Sequence, residues 1–245
     1  MPLVLVADDN PATRLFFREA LVAAGWNVIE ASDGKQAIDL ADHEPFDLLL
    51  LDVNMPGCGA IEVLASIRRG KGPSGATPAL ATSAAPDRDL SARLQSAGFA
   101  RLLPKPITAR ELRAAASRYV RDSKPVTGEA AVEPGILDDA RAIGATGGNV
   151  DIVTALRRLL VTELAALPGE FHALELPRDR GAVASRLHRL DASAGFCGVP
   201  GLAAAIKHLR LALANPPSPG AIDSFLAECD AIRWTLQEAD HAAGR

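Results

Sequence analysis

The chain has 245 residues, 48% of them hydrophobic and 23% charged, with a formal net charge of -4 at pH 7. Those proportions describe a globular protein and not a disordered one, and the length suits one large domain or two ordinary ones. The acidic balance argues against a nucleic-acid binder: the nearest approach to a basic run is Arg68, Arg69 and Lys71, a step that commonly closes a helix.

The apolar opening at residues 3–7 is too short for a signal-peptide core, lacks a basic lead-in, and is expected as a buried strand. Further strands are expected at 27–30, 48–51, 79–82 and 101–103, alternating with helices at 13–24, 35–43, 60–69, 87–97 and 109–120. Strands and helices at that pitch predict an α/β doubly wound, five-stranded parallel sheet over residues 1–120. Residues 48–51 are apolar at every position, as a central strand buried on both faces should be.

The stretch RDSKPVTGEAAVEP changes character, so 121–135 is expected as a linker. Strand signals stop beyond it. Helices are expected at 137–143, 150–175, 182–196, 201–214 and 221–239, with proline and glycine breaks at 176–181, 198–201 and 215–220. This pattern predicts an all-α four-helix bundle over 136–240. No apolar run approaches the eighteen or so residues of a membrane span, so no membrane insertion is expected. Cys58, Cys197 and Cys229 are odd in number and widely spaced, forming neither a disulfide framework nor a zinc site, which suits the cytoplasm.

The expected strand ends carry the chemistry. Asp8 and Asp9 follow the first strand, Asp52 the third, Ser83 the fourth and Lys105 the fifth. In a doubly wound sheet these ends are neighbours, which gathers three carboxylates, a hydroxyl and an ammonium in one crevice. Carboxylates so close cannot all ionise without a cation, and all-oxygen ligation favours Mg²⁺. A metal, a Lys and a nucleophilic carboxylate form a phosphoryl-transfer site. Asp8 and Asp9 could instead merely cap a helix, but four complementary strand ends at once outweigh that.

The motifs Asp8-Asp9-Asn10, LLLLDVNMPG at 48–57, Ser83-Ala84 and Pro104-Lys105-Pro106, with ASDGKQA at 31–37, resemble the response-regulator receiver family. The resemblance covers residues 2–120 and implies a flavodoxin-like receiver fold. By it Asp52 is the phosphoacceptor, and Mg²⁺ is held by Asp9 with Asp8 assisting, by Asp52, and by the main-chain carbonyl of Asn54. Ser83 and Lys105 hold the phosphoryl oxygens, and the Lys105–Pro106 bond is cis. Ser83 replaces the commoner Thr, and Leu102 stands where many members carry Tyr or Phe. A Mg²⁺-dependent aspartyl phosphatase would need a carboxylate at Asn54, and no Gly-x-Gly-x-x-Gly follows the first strand for a dinucleotide.

In the second half Val183, Leu187, Leu190, Ala194 and Cys197 form a buried stripe. His188 stands about 100° round from Leu187, among Ala184, Asp191, Ala192 and Gly195, on a face expected to be open to a large partner. Residues 185–198 resemble the histidine phosphotransfer family through His188, Leu190, Ala192, Ser193, Ala194 and Gly198. That resemblance makes His188 a phosphoacceptor through Nε2. The family usually has Lys where this chain has Asp191, and Gly where it has Ala192; Lys207 or Arg210 on the next helix is the expected replacement for the missing charge.

Together these features imply a two-component phosphorelay protein, with Asp52 and His188 exchanging phosphoryl groups with a sensor histidine kinase, with other receiver domains, or with each other. A linker of about fourteen residues reaches about 20 Å as a random coil, enough for docking within the chain. Neither nucleic-acid binding nor conventional enzymatic turnover is expected. The alternative is a phosphorylation-controlled docking protein, whose helical domain is degenerate at Asp191 and never phosphorylated.

Overall fold

The computed structural model of the chain describes residues 1–84, 86–120, 137–174, 179–213 and 220–243, with residues 242 and 243 described by their backbone alone. The expected linker at 121–135, the first residue of the expected bundle, and most of the expected breaks at 176–181 and 215–220 lie outside the described residues. The chain divides into two compact units, one holding every strand and the other the helices that follow.

The first unit runs β1 (Leu3–Ala7), α1 (Pro11–Val22), β2 (Asn27–Ala31), α2 (Gly34–His43), β3 (Leu48–Asp52), α3 (Ala60–Arg69), β4 (Ala79–Ser83), α4 (Arg88–Ser96), β5 (Arg101–Pro104) and α5 (Ala109–Ala116). All strands are parallel, in the order β2-β1-β3-β4-β5. This is the flavodoxin-like doubly wound order, in which the winding direction reverses between β1 and β3.

Strand β3 is buried at every position because β1 and β4 flank it and helices cover both faces. Alternate residues serve opposite sides: Leu5, Ala7, Leu49 and Leu51 pack with Ala37 and Ala41 of α2 and Val63, Leu64 and Ile67 of α3. Each buried leucine contributes about 1.5–3 kcal/mol relative to exposure, so Leu49→Ala would cost about 2–5 kcal/mol once the cavity is included. The edge strands β2 and β5 are only partly covered.

Helix α1 starts at Pro11 and not at Thr13 as the apolar spacing suggests. The side chain of Asn10 accepts from the N–H groups of Ala12 (2.8 Å) and Thr13 (3.3 Å), and Pro11 takes the first helical position. Helix α5 stops at Ala116, short of the expected residue 120, and Ser117 to Tyr119 turn off it.

The second unit contains α6 (Asp139–Ala145), α7 (Val150–His172), α8 (Arg180–Cys197), α9 (Pro200–Ala212) and α10 (Ala221–Ala243). Helix α7 packs on α8 and α10, and α9 packs on the same two, so the four long helices close a ring. Leu156, Leu160, Leu164, Leu167 and Phe171 line the inner side of α7 at spacings of three and four. Phe171 meets Phe225 of α10 with ring centroids 5.8 Å apart. Among the described residues no helix is long and apolar enough to cross a membrane.

Candidate functional site

The sheet register assembles the first site. Ala7 pairs with Leu51, so the next residues, Asp8 and Asp52, leave the sheet side by side at the switch point. Asp52 pairs with Thr82, and Ser83 with Pro104, which delivers Lys105 to the same edge. The Lys105 N–H donates to the Ser83 carbonyl at 2.7 Å, and the Lys105–Pro106 bond is cis.

The Lys105 ammonium lies between two carboxylates, 2.6 Å from Asp8 Oδ2 and 2.6 Å from Asp52 Oδ1. All three side chains are buried: Asp8 is 1% exposed, Asp52 2% and Lys105 8%. Asp8 Oδ1 accepts the Asn10 N–H at 2.9 Å, and Asp52 Oδ2 accepts the Asn54 N–H at 2.9 Å. Ser83 is fully buried at the end of β4, while Asp9 is half-buried and Asn54 exposed.

Burial pushes the Asp8 carboxyl up to about 7; the charge of Lys105 pulls it down and that of Asp52 pushes it up again. Burial alone would lower the Lys105 pKa, but the two carboxylates outweigh it and raise the ammonium above its ordinary value. Lysine therefore stays charged, and the cost of burial falls on Asp8.

Three contributors escaped the sequence reading. The Thr82 hydroxyl donates to Asp52 Oδ1 at 3.3 Å, although only its neighbour Ser83 carried a motif. Arg14 donates from Nη1 to the Asp8 carbonyl at 2.7 Å and so ties α1 to the end of β1. The Phe17 ring lies 6.0 Å from the Lys105 ammonium, at the outer limit of a cation–π contact. Only Thr82 had a signal available, as a hydroxyl on the inner residue of a strand whose neighbour ends in Asp.

On α8, Val183, Leu187, Leu190, Ala194 and Cys197 are buried as the spacing predicts. His188 is half-buried, with Ala184 exposed and Asp191 and Gly195 half-buried. Ala192 departs from expectation: it is 6% exposed and belongs to the packed side, not to an open surround. Two polar residues are buried here too. Arg186 bridges Glu163 and Glu170 of α7, each at 2.5 Å, and the Ser193 hydroxyl donates to Glu163 at 3.0 Å. The two cations considered for the charge beside His188, Lys207 and Arg210, are both exposed, and Arg210 reaches Asp191, Nη1 to Oδ2 at 3.0 Å.

Residues 4–117 match the response regulator receiver domain. Among curated proteins the chain is similar to the sensor histidine kinase GacS of Pseudomonas protegens, 30% identical over all of this chain and 26% of that protein. It is similar also to the sensor histidine kinase AruS of Pseudomonas aeruginosa, 32% identical over 98% of this chain and 25% of that protein. The chain thus spans about a quarter of the length of these relatives, and both alignments run through the helical unit. Among solved structures, the chemotaxis protein CheY4 of Vibrio cholerae is 28% identical, covering 49% of this chain and 99% of that one with a TM-score of 0.47. A sensor kinase receiver domain from Pseudomonas aeruginosa PAO1, with magnesium coordinated in its active site cleft, is 24% identical over 48% of this chain and 96% of that one, TM-score 0.45. Residues 4–117 therefore belong to the response regulator receiver domain family.

Proposed function

We propose that the chain is a phosphorelay intermediate, taking a phosphoryl group on Asp52 and carrying or exchanging one through His188. The observation that carries the reading is the buried Asp8–Lys105–Asp52 cluster at the switch point of the sheet. In it a carboxylate oxygen of Asp52 forms the new O–P bond while the bond from phosphorus to the donor breaks. Lys105, already within reach of Asp52, follows the charge onto a phosphoryl oxygen, and the Ser83 hydroxyl takes another.

The donor set fits Mg²⁺. Asp8, Asp9 and Asp52 bring more negative charge than one ammonium compensates, and burial raises the cost of keeping Asp8 ionised. Among the described residues no group of three His, Cys, Asp or Glu side chains could hold an ion by itself. Mg²⁺ asks for less, being content with one or two carboxylates, a carbonyl and water. Asp8, Asp9, Asp52 and the Asn54 carbonyl would hold it, and the ion supplies neutralisation of the carboxylates and of the incoming phosphoryl oxygens.

The ring of α7, α8, α9 and α10 supports reading the second unit as a four-helix-bundle histidine phosphotransfer domain, with His188 half-buried on its surface. Domains at 1–120 and 136–240, joined by a linker at 121–135, belong to the same proposal. A sensor histidine kinase or another receiver is the partner class, and no multiple-turnover reaction is assigned. Asp191, a carboxylate one turn from His188, favours the second reading, a docking module without a phosphohistidine.

Phosphoryl mapping tests both. The protein is incubated with Mg²⁺ and acetyl phosphate, or with phosphorylated receivers, as wild type, Asp52→Ala and His188→Ala. Acyl phosphate is lost in alkali and phosphohistidine in acid. Acid-labile label absent from His188→Ala supports the relay; label confined to Asp52 across several donors leaves the docking module.

A further inference from the structure

We infer that Arg210, held in place by Asp191, is the cation that receives the phosphoryl group at His188; the inference rests on reading His188 as an acceptor. Asp191 lies three residues after His188, one turn along the same face of α8, where side chains meet. A bare carboxylate there would repel an incoming phosphoryl group. It is not bare: Arg210 crosses from α9 and donates from Nη1 to Asp191 Oδ2 at 3.0 Å. The pair cancels the repulsion and fixes a guanidinium on the histidine's face of the bundle.

Arg210 also keeps capacity to spare. A guanidinium has five N–H donors in a planar fork that matches phosphoryl oxygens, and the Arg210 side chain is 43% exposed. The other cations nearby are placed differently. Arg186 is buried and committed to Glu163 and Glu170. Lys207 is exposed one turn earlier on α9, without the tether that positions Arg210. Asp191 is thus a positioning residue, and the feature that spoke against phosphotransfer becomes part of its machinery.

In the step itself the lone pair of an imidazole nitrogen of His188 forms the N–P bond as the P–O bond to the donor aspartate breaks. The bonding pair leaves with the donor's carboxylate, and the proton of the other ring nitrogen passes to solvent. Arg210 donates to the phosphoryl oxygens throughout.

The test uses full chains. The donor is the His188→Ala chain, charged on Asp52 with acetyl phosphate and Mg²⁺ and then desalted; the acceptor is the Asp52→Ala chain, read as acid-labile label. Arg210→Ala in the acceptor should slow labelling roughly ten- to a hundredfold, the worth of hydrogen bonds to a charged group. Arg210→Lys should recover part of the rate, and guanidinium ion at millimolar concentration should partly rescue Arg210→Ala. Asp191→Ala should slow labelling about threefold while Arg210 is present and should restore part of the lost rate once Arg210 is gone, and Lys207→Ala should match the parent. Circular dichroism of each acceptor confirms that the helices are kept. An unchanged rate in Arg210→Ala, or a faster one in Asp191→Ala, overturns the inference while His188 still labels. If the parent acceptor takes no label from this donor or from other charged receivers, the reading of His188 itself fails, and the inference with it.

Discussion

Asp52 and His188 stand in surroundings of opposite construction. The aspartate is buried with its partners, and those partners are remote in sequence: Lys105 bonds Asp8 across 97 positions and Asp52 across 53. The histidine is half-buried on one helix, and its charged neighbours, Asp191 and Arg210, pair 19 positions apart on an accessible surface. A carboxylate proposed as an acceptor needs its charge managed in a low dielectric, so the whole sheet must form before the site exists. An imidazole proposed as an acceptor needs room, and two adjacent helices suffice.

The contrast can be broken by removing the cation from each site. Lys105→Ala leaves Asp8 and Asp52 buried together without compensation and should destabilise the first unit by about 3–5 kcal/mol in urea unfolding without divalent ions. Arg210→Ala should cost the second unit less than about 1 kcal/mol, because its ion pair faces solvent. Similar losses at the two positions would sink the distinction between a buried and an open site.

A backbone change tests where the helical unit stores its stability. Gly198 ends α8 with φ +63°, and a Cβ there would overlap the carbonyl oxygen of Asp138. Gly198→Ala should therefore cost about 2–4 kcal/mol, well above the Arg210 variant on the same unit.

Next in size is a pH effect confined to the first site. The folded Asp8 pKa is raised to about 7 from 3.8, so the native state holds a proton that the unfolded chain sheds earlier. Its contribution is fully present below about pH 4 and is lost as pH rises through 7. Without divalent ions, wild type should lose stability relative to Asp8→Asn between pH 5 and 8, by an amount on the order of a few kcal/mol. The opposite slope would mean that Lys105 and not burial governs Asp8.

Much of this architecture was legible because apolar runs stop at polar residues. The strands fall within a residue of expectation, since a buried strand declares its end by the first charge it meets, as at Asp8 and Asp52. The same rule made the Asp8, Asp52 and Lys105 neighbourhood visible in advance. Thr82 left only a faint signal, a hydroxyl one residue before the strand's end, and becomes a donor to Asp52 through cross-strand pairing. Arg186 was missed for the same kind of reason: an arginine is expected at a surface, and only Glu163 and Glu170 on another helix make its burial tolerable. The start of α1 was legible and passed over, for Asn10-Pro11 is a strong local signal that apolar periodicity cannot register.

Gly198 has a further consequence, in time and not in energy. Its carbonyl accepts the Asp138 N–H at 2.8 Å, while the carbonyl of Cys197 beside it accepts from Arg157 Nε at 3.0 Å. The approach to α6 and a residue about two turns into α7 are thus latched to the last turn of the helix that bears His188. Amide hydrogen exchange at Asp138 should be slow and should follow the end of α8, the two opening together as one cooperative unit. Faster, independent exchange at Asp138 would show that the latch releases while the histidine helix stays closed.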